Sequence, residues 1–379
     1  MRFYWTYSGV CVCVALLNVK ITAIAYSLAK NTLGNKELAE RFGADVVAKI
    51  EKFSGILERR VAAPCECASD FAYNAAKLII DNTALDLNSI DLLTFATQTP
   101  DYIMPTTACI LQQRLNLPKK VAAYDINLGC SQFVYSLANA AMWVASPFAD
   151  KALVLTGDTP TRLLNKNDKS SVALFGDGAC AFLLEKSEKD ELLDFNFGSD
   201  GAGYNSIICR AFSMRNPPKY PADYVQVCDE NMNVRRPVDM FVDGFKIFAF
   251  AYKNIADSVS ALLEKNSLKV SDIDLFIFHQ AGQTIVSSAA KRLGISPDKV
   301  YYKMHDIGNC GGSSVGIALC DAVLNKRLRP KMKVVLCAFG VGLSWGSVLL
   351  EWNDTKALTD ADYSNSPQKP QSQTYADLL

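Results

Sequence analysis

Histidine is nearly absent from this chain, with two residues in 379. Its twelve cysteines supply no metal motif either: the tightest groupings, Cys11 with Cys13 and Cys65 with Cys67, have no second cysteine pair at ligand spacing and no histidine nearby. A bound metal is therefore not expected. A surplus of either charge is also missing, since 39 Lys and Arg face 39 Asp and Glu. No net field draws in nucleic acid or an anionic membrane, and any docking patch must be local. Beyond the amino terminus no stretch approaches the ~18 uninterrupted apolar residues of a membrane span, which excludes a polytopic membrane protein. The cysteines are scattered through apolar stretches of a long chain instead of crowding a short loop-rich one, so they read as reduced thiols and the protein as cytoplasmic.

What is present is a large globular core. Half of the residues are hydrophobic, and this length accommodates two or three ordinary domains. The amino terminus has two readings. Arg2, the apolar run 9–17 and Ala23-Ile24-Ala25 look like a signal peptide and its cleavage site, whereas residues 19–26 (VKITAIAY) look like a first core strand, leaving 1–18 as an extension. The strand reading is preferred.

Apolar runs of strand length alternate with runs of helical spacing, which argues for an α/β protein with buried sheets. Strands are expected at 92–98, 121–126, 152–156 and 179–184, with helices at 68–82, 107–115 and 131–144. The order recurs further on: strand 274–279, helix 283–293, a strand near Val300, helix 313–325 and strands 334–339 and 345–352. A recurrence at roughly 180 residues predicts two similar halves, 19–195 and 196–353, packed as a pseudo-symmetric pair. From Asp354 the chain is polar and aperiodic, and 354–379 reads as a disordered tail.

Cys130 stands in DINLGCSQFVYSL, after a strand, behind Gly129 and at the start of a helix. Alone, such a cysteine reads as a small core residue. At a helix start, free N–H groups and the positive dipole end are expected to lower the thiol pKa and to offer donors to an acyl oxyanion. His279 ends the strand DLFIFHQ, where ligands bind in open α/β sheets, and is the natural proton partner of a cysteine nucleophile. His305 is its rival but lacks a strand end to aim it. Asn309, in HDIGNCGGSSVGIAL, occupies in the second half the place of the Cys130 loop in the first, and its amide can donate to an oxyanion without titrating. Gly340, Gly342 and Gly346 in CAFGVGLSWGS would bring backbone N–H groups close to a ligand. Asp177 of FGDGA reads as a turn or hydrogen-bond anchor.

Together these strings, with FSGILERR, ATQTPDYIMPTTAC and FHQAGQ, resemble the 3-oxoacyl-[acyl-carrier-protein] synthase III family over about residues 19–352. The resemblance implies a thiolase-like fold of two pseudo-symmetric α/β halves in five layers, a homodimer and a Cys130, His279, Asn309 triad without metal or organic cofactor. It implies an oxyanion hole from the N–H groups of Cys130 and Gly342. The implied reaction takes an acyl group from an acyl-CoA or acyl-ACP donor and condenses it with a malonyl thioester carried by acyl carrier protein. Met104 stands where many members carry a phenylalanine that enters the partner's acyl pocket. Lys49 and Phe53 replace a Trp and an Arg that clamp coenzyme A, and Thr284 replaces an Arg. Arg59, Arg60, Lys291 and Arg292 are the expected entrance residues. Transfer to an amine or hydroxyl without decarboxylation, or a non-catalytic acyl-binding role, are the alternatives. A hydroxymethylglutaryl-type condensation lacks its glutamate base, and Cys337 matches the second thiolase cysteine poorly.

Overall fold

The computed structural model describes residues 2–5, 11–14, 17–189, 191–211, 213–217 and 224–359. The main elements of the first half are β1 (Val19–Leu28), α1 (Ala44–Ser54), α2 (Ala68–Thr83), β2 (Leu92–Ala96), α3 (Thr107–Arg114), β3 (Ala122–Ile126), α4 (Gln132–Ala145), β4 (Lys151–Asp158) and β5 (Gly178–Lys186). The second half has β6 (Leu192–Ser199), α5 (Gly244–Lys265), β7 (Leu275–Phe278), α6 (Gln283–Leu293), β8 (Val300–Tyr301), α7 (Ser314–Leu324), β9 (Lys333–Gly340) and β10 (Ser344–Glu351). A last strand, β11 (Lys356–Thr359), follows.

Two sheets carry the fold. One has the order β11-β1-β5-β4-β2-β3 and the other β6-β10-β9-β7-β8. Without β11 the two orders correspond strand for strand. In each, the strand in β2 or β7 position pairs in parallel with both neighbours, and the other pairs are antiparallel. Parallel strands must be joined by crossovers, and the helices that make them cover both sheet faces, which is why the strands read as continuous apolar runs.

Five layers result. α2 and α3 pack on the outer face of the first sheet with Leu93, Phe95 and Leu153. α4 and α7 lie between the sheets, touching Val154 and Phe182 on one side and Leu336 and Ala338 on the other. α5 and α6 cover the outer face of the second sheet over Phe276, Phe278 and Phe339. Alternation along β9 divides Leu336 and Ala338 from Val335, Cys337 and Phe339, so one strand feeds two cores. α4 is apolar on nearly every side because both of its faces are covered.

The amino end follows the preferred strand reading, and the carboxyl end departs from expectation. Ala23-Ile24-Ala25 is the middle of β1, and each residue is fully buried. Arg2–Trp5 and Cys11–Val14 pair as an antiparallel ribbon, and the rest of the extension up to residue 16 lies outside the described residues. The boundary placed after 195 falls inside β6, which pairs with β10 on both sides of that point, so strand pairing sets the division more finely than the recurrence does. The tail expected from 354 begins instead with β11, which runs parallel to β1 and buries Leu358. Four residues are too few to show a period; the open edge of β1 makes them a strand. Residues 360–379 lie outside the described residues.

Candidate active site

β3 delivers the chain to a tight turn, Gly129-Cys130-Ser131, closed by Gln132 N–H on Gly129 C=O at 2.8 Å as α4 begins. Two glycines let this turn touch its neighbours. A Cβ on Gly129 would stand 2.6 Å from Val341 Cβ, and one on Gly340, whose φ is +154°, would stand 2.7 Å from Cys130 Sγ. The end of β9 therefore lies directly against the sulfur. Ser131 Oγ meets Ser344 Oγ at 2.7 Å, and Ser344 Oγ donates to Val341 C=O at 2.8 Å, which pins the 341–344 turn over the cysteine.

Burial pushes the Cys130 thiol up to about 11, with the charge of Asp158 adding to the rise; backbone hydrogen bonding by Val341 and by Cys130 itself opposes it. This reverses the expected lowering. Desolvation of a sulfur in a nearly closed site outweighs the donors and dipole of the helix start. The second backbone group facing the sulfur belongs to Val341, one residue before the expected Gly342, which lies instead against Ser344. The resemblance put the donor at the glycine, but a donor needs only a correctly aimed N–H.

His279 follows β7 directly, its N–H on Cys337 C=O at 2.8 Å and its ring edge-on to Phe339 at 5.3 Å. Burial alone drives its pKa down to about 3, so the imidazole is neutral. Nδ1 lies 2.7 Å from Ser314 Oγ, and Gln280 N–H donates to the same oxygen at 3.2 Å. Ser314 Oγ thus engages Nδ1, and Nε2 is the ring nitrogen it leaves for the site. His305 is committed elsewhere, its Nδ1 on Gly55 C=O at 2.6 Å.

Asn309 is held by backbone on both sides: its N–H on Leu174 C=O at 2.9 Å, its C=O accepting from Gly176 N–H at 3.0 Å. Its Oδ1 accepts from Gly311 N–H at 3.1 Å. That bond fixes the amide with its NH₂ end free to donate. The FGDGA segment thus serves as the rail on which Asn309 runs; a Cβ at Gly176 would strike Ile307 C=O at 2.0 Å. Asp177 is the expected anchor, accepting from Ala62 N–H at 2.8 Å and Thr161 N–H at 3.1 Å, and burial raises its pKa to about 6.

The Cys130 turn lies against the end of β9, His279 follows the neighbouring β7, and Asp158 links the Cys130 turn to the Asn309 turn, all toward the carboxyl ends of the central strands, where open α/β sheets place their sites. Three supports went unread in the sequence: Ser314, Val341 and Asp158. Asp158 is a buried carboxylate at the end of β4 that joins the turns around the site. Among the described residues no cluster of three His, Cys, Asp or Glu could hold a metal. Cys337 faces the outer core of the second half and not this centre.

The entrance residues separate. Arg59 is fully buried, donating to Ala173 C=O at 2.7 Å and to Asn35 Oδ1, and burial lowers its pKa to about 10. It is a structural strut and does not line an entrance; a pair of adjacent arginines on a short strand must face opposite sides. Arg60, on the other side, is half-buried beside Asp306. Lys291 and Arg292 are exposed in the last turn of α6. Arg292 lies over the Tyr252 ring at 5.1 Å and pairs with Asp257 at 3.2 Å. Tyr252 stacks with Phe248, which meets Phe53 of α1 at 6.1 Å, so the replacement at position 53 joins an aromatic rim. Met104 is 78% exposed beside Ile103 at 72%.

Comparisons with known proteins agree with this geometry. The 3-oxoacyl-[acyl-carrier-protein (ACP)] synthase III profile matches residues 124–201, and the profile of that family's C-terminal part matches 263–352. The chain is 33% identical to the beta-ketoacyl-[acyl-carrier-protein] synthase III of Clostridium novyi over 339 residues, 89% of this chain and 100% of that one. A 2.1 Å crystal structure of a 3-oxoacyl-(acyl-carrier-protein) synthase III superposes with a TM-score of 0.85 at 35% identity, covering 88% of this chain and 100% of the other. The Pseudomonas aeruginosa enzyme of the same name gives 0.77 at 28% identity, with 89% and 99% covered. The fold is thiolase-like, the chain is an acyltransferase-type condensing enzyme, and it belongs to the 3-oxoacyl-[acyl-carrier-protein] synthase III family.

Proposed function

We propose that Cys130 accepts an acyl group from an acyl-CoA or acyl-ACP thioester and passes it to the enolate of a malonyl thioester held on acyl carrier protein. In the first step the sulfur attacks the thioester carbonyl. The C–S bond to the donor breaks, and the Cys130 proton leaves with the donor thiol. The N–H groups of Cys130 and Val341 receive the oxyanion in between. In the second step the malonyl group loses CO₂, and the electron pair of the broken C–C bond becomes an enolate. Nε2–H of His279 and the NH₂ of Asn309 donate to its oxygen. The enolate carbon then attacks the acyl carbonyl, the bond to Cys130 breaks, and the sulfur recovers a proton. No metal or organic cofactor takes part.

The observation that carries this reading is the anchoring of the two side chains, each held at one polar end with the other left for the site. Gly311 N–H holds the Asn309 Oδ1 and leaves its NH₂ to donate, and Ser314 Oγ holds the His279 Nδ1; with that hydroxyl as the donor, Nε2 carries the ring proton toward the site. Two neutral donors aimed at one centre suit a developing enolate; transfer to an amine or hydroxyl would have no enolate to stabilise. A homodimer is part of the reading. β3 is the half-buried edge of its sheet, with Met142, Phe148 and Phe197 exposed, a combination that invites pairing with a second copy. Met104, exposed on one protomer, would reach the acyl pocket of the other. Arg60, Lys291 and Arg292 with the aromatic rim would form the entrance. The compartment proposed is the cytoplasm, in keeping with cysteines scattered through the cores of a long chain.

Half-reaction assays test it. Cys130→Ala is expected to abolish both the acyl adduct and condensation. His279→Ala and Asn309→Ala are expected to keep part of the acylation while malonyl decarboxylation falls by roughly 10²-fold, the scale of one lost oxyanion donor. Condensation surviving in Cys130→Ala would refute the nucleophile, and equal loss of both half-reactions would refute the division of roles.

A further inference from the structure

Asp158 sits at the end of β4 with no cation on its carboxylate. Its four donors are neutral and come from three separate segments. Oδ1 accepts from Gln98 N–H at 2.8 Å and Thr97 Oγ–H at 3.3 Å, in the connection after β2. Oδ2 accepts from Gln132 Nε2–H at 2.9 Å, two residues past Cys130, and from Gly312 N–H at 3.2 Å, three residues past Asn309. The fit is close: a Cβ at Gly311 would lie 2.7 Å from Oδ2, and one at Gly312 would lie 2.1 Å from Gln132 Cγ. Apolar residues would fill such a site at lower cost, because an uncompensated buried charge is among the least favourable things to keep. Gln132 Oε1 is buried without a partner, so that amide is oriented for the carboxylate at its own expense.

We propose that Asp158 is a positioning residue that clasps the Cys130 turn and the Asn309 turn on one oxygen, and sets the Asn309 donor for malonyl decarboxylation. This rests on the roles given above to Cys130 and Asn309. Only the ionised carboxylate can accept all four bonds; once protonated, its O–H must turn or displace one of the four donors, which loosens the clasp. Burial raises the Asp158 pKa to about 6 against the pull of its backbone donors. The titratable groups that feel its charge are the thiols of Cys130 and Cys310, both far above neutrality. Decarboxylation therefore falls as the pH drops through about 6, while His279, near 3, stays neutral throughout.

The test is Asp158→Asn, which keeps the volume and removes the charge. Gln132 can turn its amide to meet the new NH₂, but Gly312 N–H then loses its acceptor. Malonyl decarboxylation kcat is expected to fall roughly tenfold or more, the scale of one hydrogen bond to a charged group, with KM little changed. The acid limb near pH 6 is expected to vanish, while the acyl adduct on Cys130 still forms to the wild-type extent and the melting temperature does not drop. A wild-type decarboxylation rate, or an acid limb that stays in place, would overturn the proposal. If Asp158→Asn does not fold, Asp177→Asn decides, because Asp177 is the other carboxylate held near 6. A limb that persists in Asp177→Asn supports Asp158, and one that disappears refutes it. The parent reading fails separately, through condensation by Cys130→Ala.

Discussion

At the residue scale, the resting site is a neutral thiol beside a neutral imidazole. Both shifts have one main cause, removal from water, which penalises the thiolate and the imidazolium alike. An ion pair of the kind found in exposed cysteine nucleophiles has no place here. The proton of Cys130 must leave during the reaction, and the oxyanion donors bear on the acyl carbonyl, not on a preformed thiolate. Alkylation by iodoacetamide reports this directly. With the thiol near 11, the rate at the Cys130 peptide is expected to climb by about tenfold per pH unit from 7 to 10 without levelling. Peptide mass spectrometry separates it from the exposed Cys65, Cys109 and Cys228. A plateau by pH 8 would mean an ion pair with His279.

At the scale of elements, the site is a set of joints between strand ends and helix starts, and glycines occupy the joints where backbones meet. Gly340 and Gly129 bring β9 and the α4 turn into contact, and Gly176 brings the β5 approach against the Asn309 turn. Outside these joints the segment 102–104 projects Tyr102, Ile103 and Met104 into solvent, which a lone protomer has no reason to do. In the proposed dimer, an unbranched methionine at that tip would leave a pocket floor that adapts to its contents. On that reading, acyl donors longer than acetyl are expected to be accepted, and Met104→Trp is expected to shift the preferred length toward two carbons without loss of malonyl decarboxylation. Transfer rates for donors of two to ten carbons on both proteins check this. An unchanged profile in a folded mutant dimer would place Met104 outside the pocket.

At the scale of the whole molecule, two buried carboxylates govern how stability responds to mild acid. Asp158 and Asp177 titrate near 6 in the folded protein against 3.8 without burial. The folded state therefore binds protons first, and stability contributed by these groups rises as pH falls from above 6 toward 3.8. A change from 3.8 to about 6 corresponds to at most roughly 3 kcal/mol for each group. Denaturant unfolding at pH 7.5 and 5.5 is expected to show the protein no less stable at the lower pH, with the gain reduced in Asp158→Asn. The carboxylates of Asp150, Asp243 and Asp298, which hydrogen bonds and cations hold below 3.8, oppose this only at lower pH. Stability that declines steadily from 7.5 to 5.5 would contradict the assignment.

The sequence alone determined the sheets and the doubling of the fold, and it singled out the three side chains proposed for the reaction. Runs such as 274–279 and 334–339 are apolar enough to be nothing but buried strands, and Cys130, His279 and Asn309 each sit at a strand or helix boundary that local chemistry makes visible. Tertiary structure decided the rest. Arg59 looks like Arg60 in a string of letters, and only the pleat sends one inward to Ala173 and Asn35. The direction of the Cys130 shift depends on how completely the sheets close over the sulfur, a quantity carried by no neighbour in sequence. Ser314, Val341 and Asp158 reach the site across 35, 211 and 154 residues to His279, Cys130 and Gly312. β11 exists because β1 has an unpaired edge. A periodic pattern records which face of an element is buried; which donor meets which acceptor is settled when distant elements pack.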